Sequence, residues 1–294
     1  MSVDEELYIT ERATLVRHAY RMLGSMSDAE DVVQDAFERM QRADTCHVRD
    51  PRKYLRAAVT NLALDRLRSS ARQREVYVGP WLPEPVVDES AVPEHIVSVA
   101  EDISYAFLLA LERLSPLERA AFLLHDALDV PFAEIAQTLG RSEESVRRLA
   151  SRARAAIQTE APRRIARPAD AEALREKLGT AVLNDDISGL MQMLTEGVTF
   201  LSDGGGKRPA AINPVVGRDR VAKMLTGLAK KGQGRFRAII PTWINGLPGW
   251  AFFTDEGLEQ TIAVETDGTS VSAIYVMRNP DKLSAVEAAL GTRA

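Results

Sequence analysis

The chain has 294 residues, 45% of them apolar, and a net charge of -5. That length predicts one to three domains with enough apolar material for real cores, and the net acidity argues against a blanket nucleic-acid binder. A single cysteine, Cys46, excludes an intrachain disulfide framework and fits a reducing compartment. The N-terminus, MSVDEELYITERATLV, is acidic and has no uninterrupted apolar run, so it reads as neither a secretory leader nor a membrane span. No later stretch is long and apolar enough to cross a bilayer, so a soluble cytoplasmic protein with no membrane partner is expected.

The distribution of charge is more informative than its sum. Residues 1–165 carry 22 Lys and Arg against 27 Asp and Glu, while residues 166–294 carry 15 of each. Arg49 to Arg74 holds eight basic residues against two acids, and Arg141 to Arg164 seven against three. Two basic islands on an acidic scaffold predict two separate anion contacts.

In chain order, residues 8–72 read as helical throughout. Ser27 opens a capping box with Glu30, and DAEDVVQDAFERM puts Ala29, Val32, Val33, Ala36, Phe37 and Met40 on one apolar stripe. Its opposite face carries Glu30, Asp31, Gln34, Asp35 and Glu38. Pro51 starts another helix, with Leu55, Val59, Leu62, Ala63 and Leu67 as its stripe. Residues 76–95 hold four prolines and several acids, so they read as a linker, in which Trp81 and Leu82 are unexpected apolar passengers. Residues 101–158 are helical again. Ser115-Pro116-Leu117-Glu118 is a second capping box, Gly140 ends a short helix, and Ser142 caps the next. That helix turns Val146, Leu149, Ala153 and Ile157 inward and leaves Arg147, Arg148, Arg152 and Arg154 outside. Helix, glycine turn and arginine-rich helix make a helix-turn-helix pattern, and the arginine fork suits both phosphate and guanine edges.

From about residue 170 the texture changes. Two helical segments precede the strand GVTFLS, and a helix beginning GRDRV follows a glycine loop. The last part holds FRAIIPTWING, GWAFFTDE, LEQTIAVET and SVSAIYVMR as strands separated by Asn-Gly, Asp-Glu-Gly and Asp-Gly-Thr turns, an α+β order. The loop SDGGGKRPA does not fit a Walker phosphate loop, because Lys207 is followed by Arg208 and no helix starts there. The four histidines are scattered, Cys46 and His47 make no metal site, and no cofactor is expected.

The segments DAEDVVQDAFERM, KYLRAAVTNLALDRLRS and LSPLERAAFLLHDALDVPFAEIAQTLGRSEESVRRLASRAR together resemble a bacterial RNA polymerase sigma factor of the extracytoplasmic-function group. The resemblance implies that the Asp28–Met40 helix docks on core RNA polymerase through Asp31, Gln34, Asp35 and Glu38. It implies that the Arg52–Arg68 helix reads the minus-ten promoter element, with Arg52, Lys53, Arg56, Asn61, Asp65 and Arg68 at the DNA. The preceding loop, RADTCHVRD, would help hold an unpaired base. The helix from Glu143 would read the minus-35 element through Arg147, Arg148 and Arg152.

Residues 170–278 resemble a SnoaL-like domain, the cone-shaped α+β fold of ketosteroid isomerases and polyketide cyclases. WLPEP (81–85), DGGGK (203–207) and NPDKL (279–283), in that order, are similar to the sigma J-type subgroup, which lacks a separate anti-sigma partner. The whole chain is therefore expected to be multidomain: two all-α sigma domains, the second a helix-turn-helix, then an α+β cone with a curved mixed or antiparallel sheet. The expected parts are 1–75 for region two, 76–100 for the linker, 101–163 for region four and 168–294 for the SnoaL-like regulatory domain. The three motifs are expected to meet beside the sigma domains as an interdomain contact: Trp81, Leu82 and Pro83; Asp203, Gly204, Gly205, Gly206 and Lys207; Asn279, Pro280, Asp281, Lys282 and Leu283. Trp81 would be its buried anchor. The C-terminal domain would pack across both sigma domains and bias the distance between the two DNA readers.

Two other readings remain open at this point. The C-terminal domain could keep a small-molecule pocket lined by Phe200, Trp243, Trp250, Phe252 and Tyr275, or residual acid–base chemistry at Asp203, with Tyr275, Asp255 and Glu265 as weaker candidates. Fold alone does not imply the activity, and the expectation is a protein that is not an enzyme. A helix-turn-helix regulator that does not touch polymerase is the third reading, against which the first sigma-like segment argues.

Overall fold

The computed structural model describes residues 3–42, 50–87, 103–160 and 166–291. Residues 1–75 and 106–161 gather into one unit, and residues 76–105 and 162–294 into another. The linker between the two all-α parts thus groups with the C-terminal part.

In the first unit, α1 (Val3–Leu23), α2 (Met26–Arg42) and α3 (Pro51–Glu75) pack against one another. Every residue of the α2 stripe is buried, as its period predicts. The start of α2 differs from the expectation. The helix begins at Met26, and Ser25, not Ser27, caps it by accepting the Asp28 N–H at 3.2 Å. Glu30 is then free to accept Arg12 of α1 at 2.8 Å. Leu55, Val59, Ala63 and Leu67 of α3 are buried, while Leu62 is only partly so. Between α1 and α3 lies His18, 1% exposed, its Nε2 3.0 Å from Thr60 Oγ1. Burial, and then the charges of Arg21 and Arg56, push its pKa down from 6.5 to about 3, so the ring is neutral.

The same unit continues with α4 (Tyr105–Glu112), which begins at the unit boundary, and α5 (Pro116–Phe122). A wide π-turn over Leu123–Ala127 leads to α6 (Phe132–Leu139) and α7 (Glu143–Glu160). Both halves of the Ser115–Glu118 capping box form. Gly140 takes φ of 61°, a left-handed turn that suits glycine, and Ser142 caps α7 through the Ser145 N–H. Leu124, Ile135, Val146 and Ala150 make the core of this hairpin. Leu149, expected inward, only lines its margin, because Ala150 takes the buried place one residue on.

The second unit holds α8 (Pro168–Leu183), α9 (Ile187–Met193), β1 (Leu194–Asp203), β2 (Val215–Val216), α10 (Arg218–Gly232), β3 (Ala238–Ile244), β4 (Leu247–Thr254), β5 (Gly257–Thr266), β6 (Val271–Met277) and α11 (Ser284–Leu290). The strands form one mixed sheet in the order β2-β1-β6-β5-β4-β3; β1 and β6 run parallel and all other neighbours antiparallel. One face packs Val198, Phe200, Val264, Ile274 and Val276 against Leu174, Leu178, Leu190, Val221 and Leu225 of the helices. Each such side chain contributes about 1.5–3 kcal/mol of burial. The other face receives Val286 and Leu290 of α11 on Ala251 and Phe253. The Asn245-Gly246 turn between β3 and β4 has both residues at positive φ, 52° and 69°, as a tight hairpin requires. At the β3 edge, Val87 bridges to Ile244, and the Asn245 N–H donates to the Val86 carbonyl at 2.8 Å. Among the described residues, no helix is long and apolar enough to cross a membrane, and no group of His, Cys, Asp and Glu could hold a metal ion.

Candidate functional site: two arginine-bearing helices and a linker clamp

The polar face of α2 presents Asp31, Gln34 and Asp35 to solvent, with Glu38 half-buried. Gln34 donates to Glu38 at 3.2 Å, and Arg42 pairs with Glu38 at 2.8 Å. Arg66 of α3, which no sequence signal singled out, reaches Asp28 at 2.5 Å and Asp31 at 3.3 Å. Asp35 is thus the most open carboxylate of the expected polymerase set.

On α3 the basic residues already face acids. Arg52 Nε lies 3.0 Å from Glu11 of α1, Arg68 3.1 Å from Asp65, Arg56 Nη2 3.2 Å from Glu134, and Lys53 Nζ 3.6 Å from the same Glu134. Asn61 is exposed, and Asp65 pairs one turn forward with Arg68. The Cys46 and His47 loop lies outside the described residues apart from its ends. On α7, Arg147 pairs with Glu143 at 2.6 Å and its guanidinium lies 4.5 Å above the Phe132 ring. Arg148 pairs with Glu144, and Arg152 stands exposed. Arg148 and Arg152 line one shallow cleft with Ser142, Ser145 and Leu149. Arg154 turns away to Asp126.

The structure brings the three short motifs together within the second unit. Parallel pairing puts Asp203, the last residue of β1, beside Met277, the last of β6, so the two chains leave the sheet at the same end. Asp203 is 0% exposed and its carboxylate accepts four donors. Tyr77 Oη (2.6 Å) and the Gly205 N–H (2.9 Å) reach Oδ1; the Leu82 N–H (2.9 Å) and Lys282 Nζ (2.8 Å) reach Oδ2. Lys282 also donates to the Leu82 carbonyl at 2.7 Å and lies 4.2 Å over the Trp81 ring and 5.0 Å over that of Tyr77. Asn279 caps the turn Pro280–Lys282, accepting the Asp281 N–H at 3.1 Å, and donates to Tyr77 Oη at 2.9 Å. Burial first, and then the hydrogen bond to Asp203, raises the Tyr77 hydroxyl well above its ordinary range, which keeps it a donor. A buried carboxylate with one lysine and three further donors is satisfied. Leu283 is buried behind it.

The glycine run has a steric reason. Gly205 takes φ of 60°, and a side chain there would collide with the Asn279 amide. At Gly204 a side chain would meet the Arg208 carbonyl. Lys207 lies on the rim, 2.5 Å from Asp281, with both side chains more than half exposed. Leu82, not Trp81, is the buried anchor: Leu82 and Pro83 are buried, whereas Trp81 is half-buried under the ammonium of Lys282.

Asp203 has its lone pairs occupied as described, and Asp255 is exposed in a turn. Glu265 and Tyr275 do meet, at 2.5 Å, with Tyr275 stacked on Tyr105 at 4.9 Å. Burial raises both pKa values, so the pair is a buried neutral-favouring contact under the linker's far end. Four of the five aromatics share the helix-packed face of the sheet: Phe200 and Trp250 pack with the helices, Trp243 donates to Glu172 of α8 at 3.1 Å, and Phe252 meets Phe236, whereas Tyr275 points to the opposite face from Ile274 and Val276.

Three residues of this arrangement carried no sequence signal. Tyr77 was one more linker residue. Glu134 was a solvent-face acid of a short helix. Asn245 read only as turn chemistry, yet it is 0% exposed; its Oδ1 accepts the Val86 N–H and its Nδ2 donates to the Ile103 carbonyl, each at 3.0 Å. One side chain thereby ties Val86 of the linker and Ile103, just beyond it, to the same turn.

Comparison with known proteins follows the same division. Residues 7–73 match the model of Sigma-70 region 2, and residues 104–157 that of Sigma-70, region 4. The ECF RNA polymerase sigma factor SigJ of Mycobacterium tuberculosis is 40% identical over 287 residues, spanning 93% of this chain and 91% of that protein. The probable ECF RNA polymerase sigma factor SigI of the same species is 30% identical over 282 residues, spanning 95% and 94%. The crystal structure of M. tuberculosis SigJ superposes with a TM-score of 0.77 at 36% identity, covering 95% of this chain and 98% of that one.

Proposed function

Because the chain belongs to the extracytoplasmic-function RNA polymerase sigma factors, and so acts in transcription initiation, we propose that its SnoaL-like unit controls that activity by holding the linker between the two promoter readers. In this reading α2 meets core RNA polymerase through Asp31, Gln34, Asp35 and Glu38. The α3 residues Arg52, Lys53, Arg56, Asn61, Asp65 and Arg68 engage the minus-ten element, and Arg147, Arg148 and Arg152 of α7 the minus-35 element. Arginine and lysine supply the phosphate contacts that position a sigma factor; bidentate arginine adds base reading.

The observation that carries the proposal is the attachment of residues 77–87 to the C-terminal sheet through Asp203, Lys282 and Asn245. A free linker lets its two ends sample many separations; pinning it fixes the chain length available between them. Control then resides in the chain itself, with no separate anti-sigma factor. No small-molecule ligand enters this reading.

The test is run-off transcription with core polymerase on promoters that differ only in the spacing between the two elements. Full-length protein is compared with Asp203→Asn, Asn245→Gly and a chain ending before Asn279. Release of the linker should change output and broaden the range of tolerated spacings. Identical output and identical spacing preference in all four would overturn the proposal.

A further inference from the structure

Glu134 sits in the first turn of α6, in the helix-turn-helix, yet its carboxylate lies between Arg56 and Lys53 of α3, 78 residues away from Arg56 in sequence. A second contact ties the same parts. Arg119 of α5 is 3% exposed and donates to the Met22 carbonyl at the end of α1 at 2.5 Å, while pairing with Glu112 of α4 at 2.7 Å. The two promoter readers are therefore docked on each other within one unit. Promoter elements at minus-ten and minus-35 are about 25 base pairs apart, roughly 85 Å along a duplex at ~3.4 Å per base pair. Helices in ion-pair contact cannot read both.

We infer that this docked arrangement is a resting state, and that Glu134 is its latch: a carboxylate that occupies the place of a promoter phosphate on Arg56 and Lys53. The inference rests on the reading of α3 as the minus-ten helix. The chemistry fits a stand-in. A carboxylate and a phosphate offer the same acceptor oxygens to a guanidinium fork, so latch and DNA compete for one pair of cations. The latch is also weak by construction. Its side chains are 18%, 32% and 42% exposed, so solvent screens the pair, and the Nε of Arg56 is buried with no hydrogen-bond partner. A contact of this kind holds the resting state by a narrow margin, which polymerase and a polyanion can overcome by binding only the open form.

The experiment uses the full chain with Cys46→Ser and a donor–acceptor dye pair on cysteines placed at the exposed Arg42 and Gln158. Energy transfer is read alone, with core polymerase, and with core plus promoter DNA, for parent and Glu134→Gln, which keeps side-chain size. The parent should show high transfer that collapses on adding core and promoter. Glu134→Gln should shift the resting distribution toward low transfer without DNA and raise promoter-complex formation at limiting protein roughly two- to fivefold, the range a partly exposed ion pair carries. An unchanged resting distribution overturns the latch, as does opening without gain in promoter complex. Failure of the sigma reading looks different: neither the parent nor Glu134→Gln forms any promoter complex with core polymerase, whereas the latch fails when the parent forms that complex and Glu134→Gln opens without forming more of it.

Discussion

Replacing Asp203 by asparagine removes one charge and almost no volume, and it tests the clamp directly. The carboxylate receives two donors on each oxygen. An amide keeps one accepting oxygen, so whichever way it lies its NH2 confronts donors. If the oxygen stays with Lys282 and Leu82, the Gly205 N–H loses its acceptor; if it turns, the lysine ammonium does. Lys282, whose side chain is 10% exposed, keeps the Leu82 carbonyl and the two rings but loses its counter-ion. Breaking a buried pair costs about 3–5 kcal/mol, and the surviving contacts place this case near the lower end. About 3 kcal/mol is roughly a hundredfold in the opening equilibrium of the linker. Hydrogen exchange read by mass spectrometry on full-length protein should show amides of residues 76–87 exchanging roughly that much faster, with β5 and β6 unchanged. Lys207→Ala, which removes only the exposed pair with Asp281, should move the same amides less than about fivefold. A folded Asp203→Asn protein with unchanged exchange at Leu82 would refute the reasoning.

Gly205→Ala should destabilise the C-terminal unit by about 2 kcal/mol in urea unfolding, since positive φ and the Asn279 amide both oppose a side chain; Gly197→Ala, inside β1 with open space around it and no positive φ, should be neutral or stabilise by up to about 0.5–1 kcal/mol. Asn245→Gly keeps the positive φ of the turn and the backbone N–H to Val86 but drops both side-chain bonds, so protease sensitivity of residues 76–87 should rise by the equivalent of about 1–2 kcal/mol with the sheet intact. His18 is neutral in the folded chain with a pKa of about 3 against an ordinary 6.5, so the unfolded chain takes up the proton first. Its contribution is complete above pH 6.5 and falls as pH drops toward 3, by about 1.4 kcal/mol per unit, or about 2 kcal/mol by pH 5; His18→Gln should flatten that slope in unfolding titrations. Arg152→Ala should weaken binding to a minus-35 duplex and, if the contact is to phosphate, reduce the salt slope of log K by about 0.9.

Local signals carried far along this chain. The α2 stripe, the Ser115–Glu118 box, Gly140 and the Asn-Gly turn each depend on a few consecutive residues, and each is found in place. The Ser27 cap missed because two serines compete two residues apart, and the helix starts one residue before Ser27, which leaves Ser25 at the cap. Region two, region four and the SnoaL-like cone were legible through resemblance, carried by runs of residues. What the motifs do to one another was not. Asp203 and Lys282 meet because β1 and β6 run parallel, a pairing between strands far apart in sequence. Trp81 drew attention by its size, but in an extended segment neighbours face opposite ways, and here Leu82 has the inward place. The same alternation puts Tyr275 on the opposite face from Phe200, which composition alone does not reveal.

The outer strand β3 carries a last consequence. An edge strand offers unpaired backbone groups to any other extended chain. In β3 the middle of that edge is blunted by Pro241, which has no N–H, and the end at Ile244 and Asn245 is sealed by Val86 and Val87 of the linker. Letting the linker go therefore uncovers a short adhesive margin beside the exposed Ile239. If the linker undocks as proposed, the freed protein should gain a tendency to self-associate through this margin, which light scattering of Asp203→Asn against the parent would read.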